Sequence, residues 1–172
     1  MKQIKNISVA LLILFTGISF IAGGCKKSNG SNNLNPNPSN QGTLSASIGG
    51  TAWQANAVYA VDSSNMIAIV GSASTTSSNN FPILLMVFPD NTPEGSTINF
   101  DIIQSSMLQY YENQNTAYYA EPSIGGSGSV KITKFNKSTK RIEGNFTATL
   151  KSATPGGASK TLTGGQFAIN YR

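Results

Sequence analysis

The chain has 172 residues, only 11% of them charged, with 12 Lys and Arg against 7 Asp and Glu for a formal net charge of +5. It contains no histidine and a single cysteine, Cys25. Those absences exclude Ser-His and Cys-His nucleophile systems, and zinc centres built from imidazole and thiolate.

The first segment sets location. Lys2 and Lys5 precede an apolar run from Ile7 to Ala22, which ends in Gly23-Gly24-Cys25. A basic start, an apolar core and small residues before a processing point define a secretory signal peptide over residues 1–24. The run is short for a spanning helix, which needs roughly 20 residues. Ala22-Gly23-Gly24-Cys25 resembles the lipobox of bacterial lipoproteins, with Ala22 standing where Leu is usual. The resemblance implies that Cys25 is acylated and becomes the mature first residue. Each buried methylene adds about 0.8 kcal/mol of membrane affinity, so several acyl chains hold a protein firmly.

Residues 25–42 comprise the lipid-bearing cysteine and a tether, KKSNGSNNLNPNPSNQG, in which only Leu34 is apolar. Such a composition cannot bury enough surface to offset its ordering entropy. The expectation is a disordered spacer reaching about 20–25 Å as a flexible coil. Lys26 and Lys27 would lie beside the lipid head groups, where each cation can gain about 1 kcal/mol against an anionic surface.

Residues 43–172 have the size of one domain and can bury a core without disulfides. Period-two alternation recurs throughout. Leu44, Ala46 and Ile48 share a face, Gly49-Gly50 offers a turn, and Trp53, Ala55, Ala57, Tyr59 and Val61 continue on one face. Residues 43–61 therefore read as a first hairpin. Met66 to Val70 and Ile83 to Phe88 are apolar at every position, which predicts central strands covered on both sides or nearly so. Ile98, Phe100 and Ile102 alternate again, whereas 104–112 suits either a strand or helical turns. Ile142, Gly144, Phe146, Ala148 and Leu150 give the cleanest strand. The last strand changes phase at Gly164-Gly165, between Leu162 and the series Phe167, Ile169, Tyr171, as a bulge would cause. The fold class is all-β, an antiparallel β-sandwich or small open barrel of about 8–10 short strands.

The order Ile48-Gly49-Gly50-Thr51-Ala52-Trp53, then Gly128 to Phe135, Arg141-Ile142-Glu143-Gly144-Asn145-Phe146 and a closing Gly165 to Tyr171 resembles a family of small, uncharacterised Bacteroidota lipoproteins, a domain of unknown function. The likeness covers most of 43–172. It implies an all-β fold and an envelope location, and no catalytic residues. In such lipoproteins acidic residues soon after the cysteine mark export to the cell surface. None follow Cys25, so the expected location is the outer membrane facing the periplasm, with the cell surface as the alternative.

Candidate chemistry is sparse. The acidic set is Asp62, Asp90, Glu94, Asp101, Glu112, Glu121 and Glu143, and a glycosidase would need two of these across one cleft. Phe88 to Gly95 supplies oxygen ligands of the kind calcium uses, but Pro, Asp, Asn and Gly are also what turns use; no cofactor or metal is assigned. Tyr110, Tyr111, Tyr118 and Tyr119 lie symmetrically about a polar tip at Gln114-Asn115. A hairpin there would pair the rings across strands and suit sugar stacking, unless one tyrosine of each pair faces the core. From Asp62 to Glu121 every charge is acidic; from Lys131 onward Lys131, Lys134, Lys137, Lys140, Arg141, Lys151, Lys160 and Arg172 face Glu143 alone. That basic set could meet acidic envelope polymers or simply solvate strand edges; nucleic acid is a poor partner outside the cell. The reading is a lipid-anchored envelope protein, non-enzymatic, with a binding or structural β-domain whose ligand is unknown. A glycan-binding protein using the tyrosine hairpin and a carboxylate-dependent hydrolase are the alternatives.

Overall fold

The computed structural model describes residues 41–74, 80–154 and 156–172. The segments expected to be a signal peptide and a tether, with Cys25 between them, lie outside the described residues up to Gln41. Eleven strands form in chain order: β1 (Gly42–Ile48), β2 (Thr51–Gln54), β3 (Ala57–Ser63), β4 (Met66–Ser72), β5 (Ile83–Pro89), β6 (Thr97–Asn99), β7 (Met107–Asn113), β8 (Thr116–Tyr119), β9 (Ser127–Asn136), β10 (Arg141–Ser152) and β11 (Ser159–Asn170). Two short 3-10 turns, Ile102–Gln104 and Pro122–Ile124, complete the described structure. Residues 104–112 are thus mostly strand.

All the strands belong to one antiparallel sheet in the order β2-β1-β11-β10-β8-β7-β5-β4-β3, with β9 beside β10 and β6 beside β9. The sheet curls into a half-barrel. Its two ends approach where the chain enters and leaves. Gln41 N–H donates to the Val58 carbonyl at 3.1 Å, and the Arg172 carbonyl accepts from Asp62 N–H at 2.9 Å. The Gln41 side chain strengthens this seam by accepting from Ala60 N–H at 2.6 Å.

The concave side is the core. Leu44, Ile67, Ile69, Leu84, Met86, Phe88, Ile132, Ile142, Leu150, Leu162 and Ile169 are all fully buried there. Rings from distant strands meet across the interior: Phe167 of β11 lies 6.3 Å from Phe88 of β5 and 6.3 Å from Phe146 of β10. The β10–β11 ladder carries a reciprocal device. Gly144 pairs with Phe167 and Phe146 with Gly165, and a Cβ on either glycine would fall 2.6–2.7 Å from the opposing ring. Each glycine leaves the space that a phenyl ring fills.

The phase change at the end of the chain is a bulge. Between Ser45 and Ser47 the β11 partner jumps from Gln166 to Thr163, and between Phe146 and Ala148 it jumps from Gly165 to Leu162. The extra residue on β11 includes Gly164 at φ 60°, a left-handed conformation that glycine adopts without a Cβ clash.

One sequence expectation needs correction and a second is met in part. The single face drawn from Trp53 to Val61 breaks at Asn56. Ala55 N–H bonds Leu44 in β1, but Asn56 N–H bonds Ser72 in β4, and its side-chain amide donates to the Ala73 carbonyl at 2.6 Å. The chain changes partner there, and the inward positions become Val58 and Ala60, leaving Tyr59 39% exposed. The cover of β4 and β5 is complete on the inner side and partial on the outer. Their inner residues are buried, and of the outer ones Val87 is buried, whereas Met66, Ala68, Val70, Ile83 and Leu85 are half-buried. Among the described residues no second sheet or helix lies over them.

Candidate functional site

The tyrosine hairpin is present, and its register divides the four rings. β7 and β8 pair Tyr110 with Tyr118, Tyr111 with Ala117 and Gln109 with Tyr119. Tyr110 and Tyr118 point to the concave side, 7% and 6% exposed, with centroids 6.2 Å apart. Tyr111 and Tyr119 project from the convex side and are half-buried. One tyrosine of each sequence pair therefore belongs to the core, and sugar stacking would fall to Tyr111 and Tyr119.

Above the buried pair runs an ion pair that sequence reading missed. Glu112 of β7 holds Lys160 of β11 at 2.9 Å, spanning β8 and β10, which lie between them in the sheet. The Lys160 ammonium sits 5.1 Å from the Tyr118 ring centroid, and the Tyr118 hydroxyl donates to the second Glu112 oxygen at 3.4 Å. This strap closes one end of the half-barrel. The strand order that joins residues 48 positions apart leaves no local sequence signal.

Titration follows from these contacts. Burial, with Tyr119 adding to it, pushes the Tyr111 phenol up to about 12; its hydroxyl donates to the Gln109 side chain at 2.6 Å. Burial also raises Tyr110, reinforced by Glu112 and opposed by Lys160. Tyr171 is raised by burial and by Asp62 and Asp90. The hydrogen bond to Glu112 raises Lys160. Each group holds its proton more tightly folded than unfolded. Its contribution to stability is complete below the unfolded value, about 10, and is lost as pH rises through the folded one. Thermal stability is therefore expected to fall between about pH 10 and 12, with tyrosinate absorbance at 295 nm still rising above pH 11. Half-ionisation of all the phenols near pH 10 with unchanged melting would contradict the assignment.

Most of the carboxylates are engaged, and Asp101 and Glu121 come together at the first 3-10 turn, where Glu121 accepts from Ile102 N–H at 3.3 Å. Glu143 pairs with Arg141 at 2.8 Å and Lys134 at 3.9 Å. Glu94 accepts from Phe135 N–H at 3.1 Å, tying the turn after β5 to β9. Asp101 caps the first 3-10 turn through Ile103 N–H, and Glu121 caps the second through Ser123 N–H. Within Phe88–Gly95, Thr92 bonds the Pro89 carbonyl through its hydroxyl and its N–H, as a turn does. Among the described residues no three His, Cys, Asp or Glu side chains come together as a metal site. A shallow depression of about 430 Å³ lies beside Ser45, Ser47, Trp53, Gln54 and Thr163, with no titratable side chain in it.

Four of the basic residues, Lys134, Lys137, Lys140 and Arg141, gather about the β9–β10 turn, where the ladder pairs Arg141 with Asn136 and Glu143 with Lys134. Lys134, Arg141 and Lys160 are paired with acids, and Lys137 lies 5.5 Å from the Phe135 ring centroid.

The convex side divides into two halves. On β1, β10 and β11 the outward residues are polar, including Ser45, Ser47, Asn145, Thr147, Thr161 and Thr163. On β3, β4, β5 and β7 the register aligns three outward rows: Val61–Ala68–Val87–Met107, Tyr59–Val70–Leu85–Gln109 and Ala57–Ser72–Ile83–Tyr111. None of these twelve carries a charge. The uninterrupted apolar runs of β4 and β5 were its sequence signal.

Comparison with protein-family models, curated proteins and solved structures finds no match for this chain.

Proposed function

We propose that this protein is a lipid-anchored component of a bacterial cell envelope, acylated at Cys25, whose half-barrel binds or scaffolds rather than catalyses. The observation that carries this reading is the order of the first 42 residues: basic start, apolar run, Gly23-Gly24-Cys25, then a polar Asn- and Pro-rich spacer leading into strand β1. A non-catalytic role is supported by the engagement of Glu94, Asp101, Glu112, Glu121 and Glu143 in structural bonds.

Cell fractionation tests the anchor. Wild-type protein should partition with membranes and Cys25→Ala protein should not be retained as firmly. Equal retention of the two would end the lipoprotein reading. Protease added to intact cells then separates the leaflets: protection until lysis places the domain in the periplasm, the expected side, and digestion places it on the surface.

A further inference from the structure

The apolar half of the convex side is the feature that neither the core nor the anchor accounts for. In one antiparallel sheet, outward positions facing water are polar, and β1, β10 and β11 obey that rule. The outward rows of β3, β4, β5 and β7 break it with Tyr59, which is exposed, and Val70, Leu85 and Tyr111, which are half-buried around the buried Val87 and Gln109. Contiguous apolar surface of this kind marks a contact site.

The chain's own polar spacer is a poor cover, because Leu34 is its only apolar residue. A second copy is a poor occupant for two reasons. Two convex faces touch over little of their area. Four strands about 4.8 Å apart, with outward residues about 7 Å apart along each, also make a patch of roughly 300–400 Å², about half of the roughly 800 Å² per partner of a standard stable interface.

A lipid surface has neither objection. It deforms around a convex face, and a small apolar patch suffices when a tether has already fixed the local concentration. The site of chain entry points the same way. Gln41 bonds Val58 O through its N–H and Ala60 N–H through its side chain, so the spacer joins the domain on either side of Tyr59, at the border strand of the apolar rows. A flexible coil of the length that separates Cys25 from Gln41 would span about 20 Å, more than the roughly 14 Å radius of gyration of a domain of this size. Tyrosines are the residues that favour the depth of lipid head groups. The sequence has no Lys or Arg between Lys27 and Lys131, and Asp62 and Asp90 lie near this half, which selects neutral head groups over anionic ones.

We propose that the convex face of β3, β4, β5 and β7 lies against the lipid surface to which the chain is tethered, with Tyr59, Val70, Leu85 and Tyr111 among neutral head groups. This rests on the lipid-anchor reading.

The test uses the acylated full chain in phosphatidylcholine vesicles, with a nitroxide on Val70→Cys or, as a control on the polar half, on Thr161→Cys. The Val70 label should be severalfold more accessible to oxygen than to a water-soluble nickel chelate, the Thr161 label the reverse, and 1 M salt should change neither. If Val70→Cys fails to fold, Tyr59→Cys carries the same label. A Val70 label as open to nickel as the Thr161 label overturns the docking face while leaving the anchor intact. So does spin–spin broadening at Val70, which would mean that a second copy covers the face. A chain that does not float with the vesicles at all overturns the anchor.

Discussion

Phe167→Ala should cost about 3–5 kcal/mol, the range for removing a buried phenyl ring from a packed core. Total stabilities of about 5–15 kcal/mol are usual, so the variant should be marginal or unfolded at 37 °C. The size of the effect follows from what the ring touches. It lies tilted between Phe88 and Phe146, so it joins β5 to β10 across the interior of the curled sheet. It also fills the space over Gly144, where a Cβ would come within 2.6 Å of its Cζ. Removing it opens a cavity between β5, β10 and β11. Phe135→Ala is the control. That ring makes an edge contact with Tyr171 at 5.9 Å but is only partly buried, and it should cost distinctly less. Urea denaturation of both variants decides the matter. A Phe167→Ala cost below about 1 kcal/mol would mean that the core is not built around this residue.

The sequence made the strongly alternating strands legible and left the partner changes hidden. β1, β10 and β11 show their burial because each has one face in the core and one in water, so period two survives intact along them. The bulge at Gly164 was visible for the same reason: a one-residue slip inverts the faces, and Leu162 against Phe167 records the inversion. The break at Asn56 left no such trace. Ala57, Tyr59 and Val61 continue the spacing of Trp53 and Ala55, and the apolar character of the convex half removes the contrast that marks a flipped face. That same property made β4 and β5 look doubly covered. Apolar residues on both faces are what a buried strand needs, and periodicity alone does not tell a strand packed on both sides from one whose second face awaits a partner.

The candidate site was half legible. Four tyrosines about a polar tip gave the hairpin, and strand alternation gave the separation of Tyr110 and Tyr118 from Tyr111 and Tyr119. The Glu112–Lys160 strap was not readable, because it depends on β11 coming within reach of β7 by way of β8 and β10, a fact of long-range topology. Charge counting pointed elsewhere. The basic residues after Glu121 look like a patch along the chain, and Lys134, Lys137, Lys140 and Arg141 do cluster at the β9–β10 turn, but Glu143 pairs with two of them and Glu112 takes up Lys160.

Deleting Gly164 and Gly165 together should be more damaging than any single substitution on the surface. The bulge holds Leu162 and Phe167, five positions apart, on the same concave face. Removing Gly164 alone takes out the extra residue and leaves them four apart, which strict alternation keeps in phase. Removing both leaves them three apart, and residues 159–163 would then invert: Leu162, fully buried, would turn outward, and Thr161 and Thr163 would turn into the core. Losing a buried leucine costs about 2–5 kcal/mol, and each hydroxyl buried without a partner adds about 1–3 kcal/mol. Lys160 would also leave Glu112. The sum approaches the whole stability of an ordinary domain, so the double deletion is expected to lose its cooperative unfolding transition. Deleting Gly164 alone is the control: Leu162 keeps its face, and thermal unfolding should stay cooperative. If the double deletion melted as cooperatively as the single one and at a similar temperature, β11 would be able to shift its pairing along β1 and β10, and the phase of its two halves would not be what fixes the register of the half-barrel.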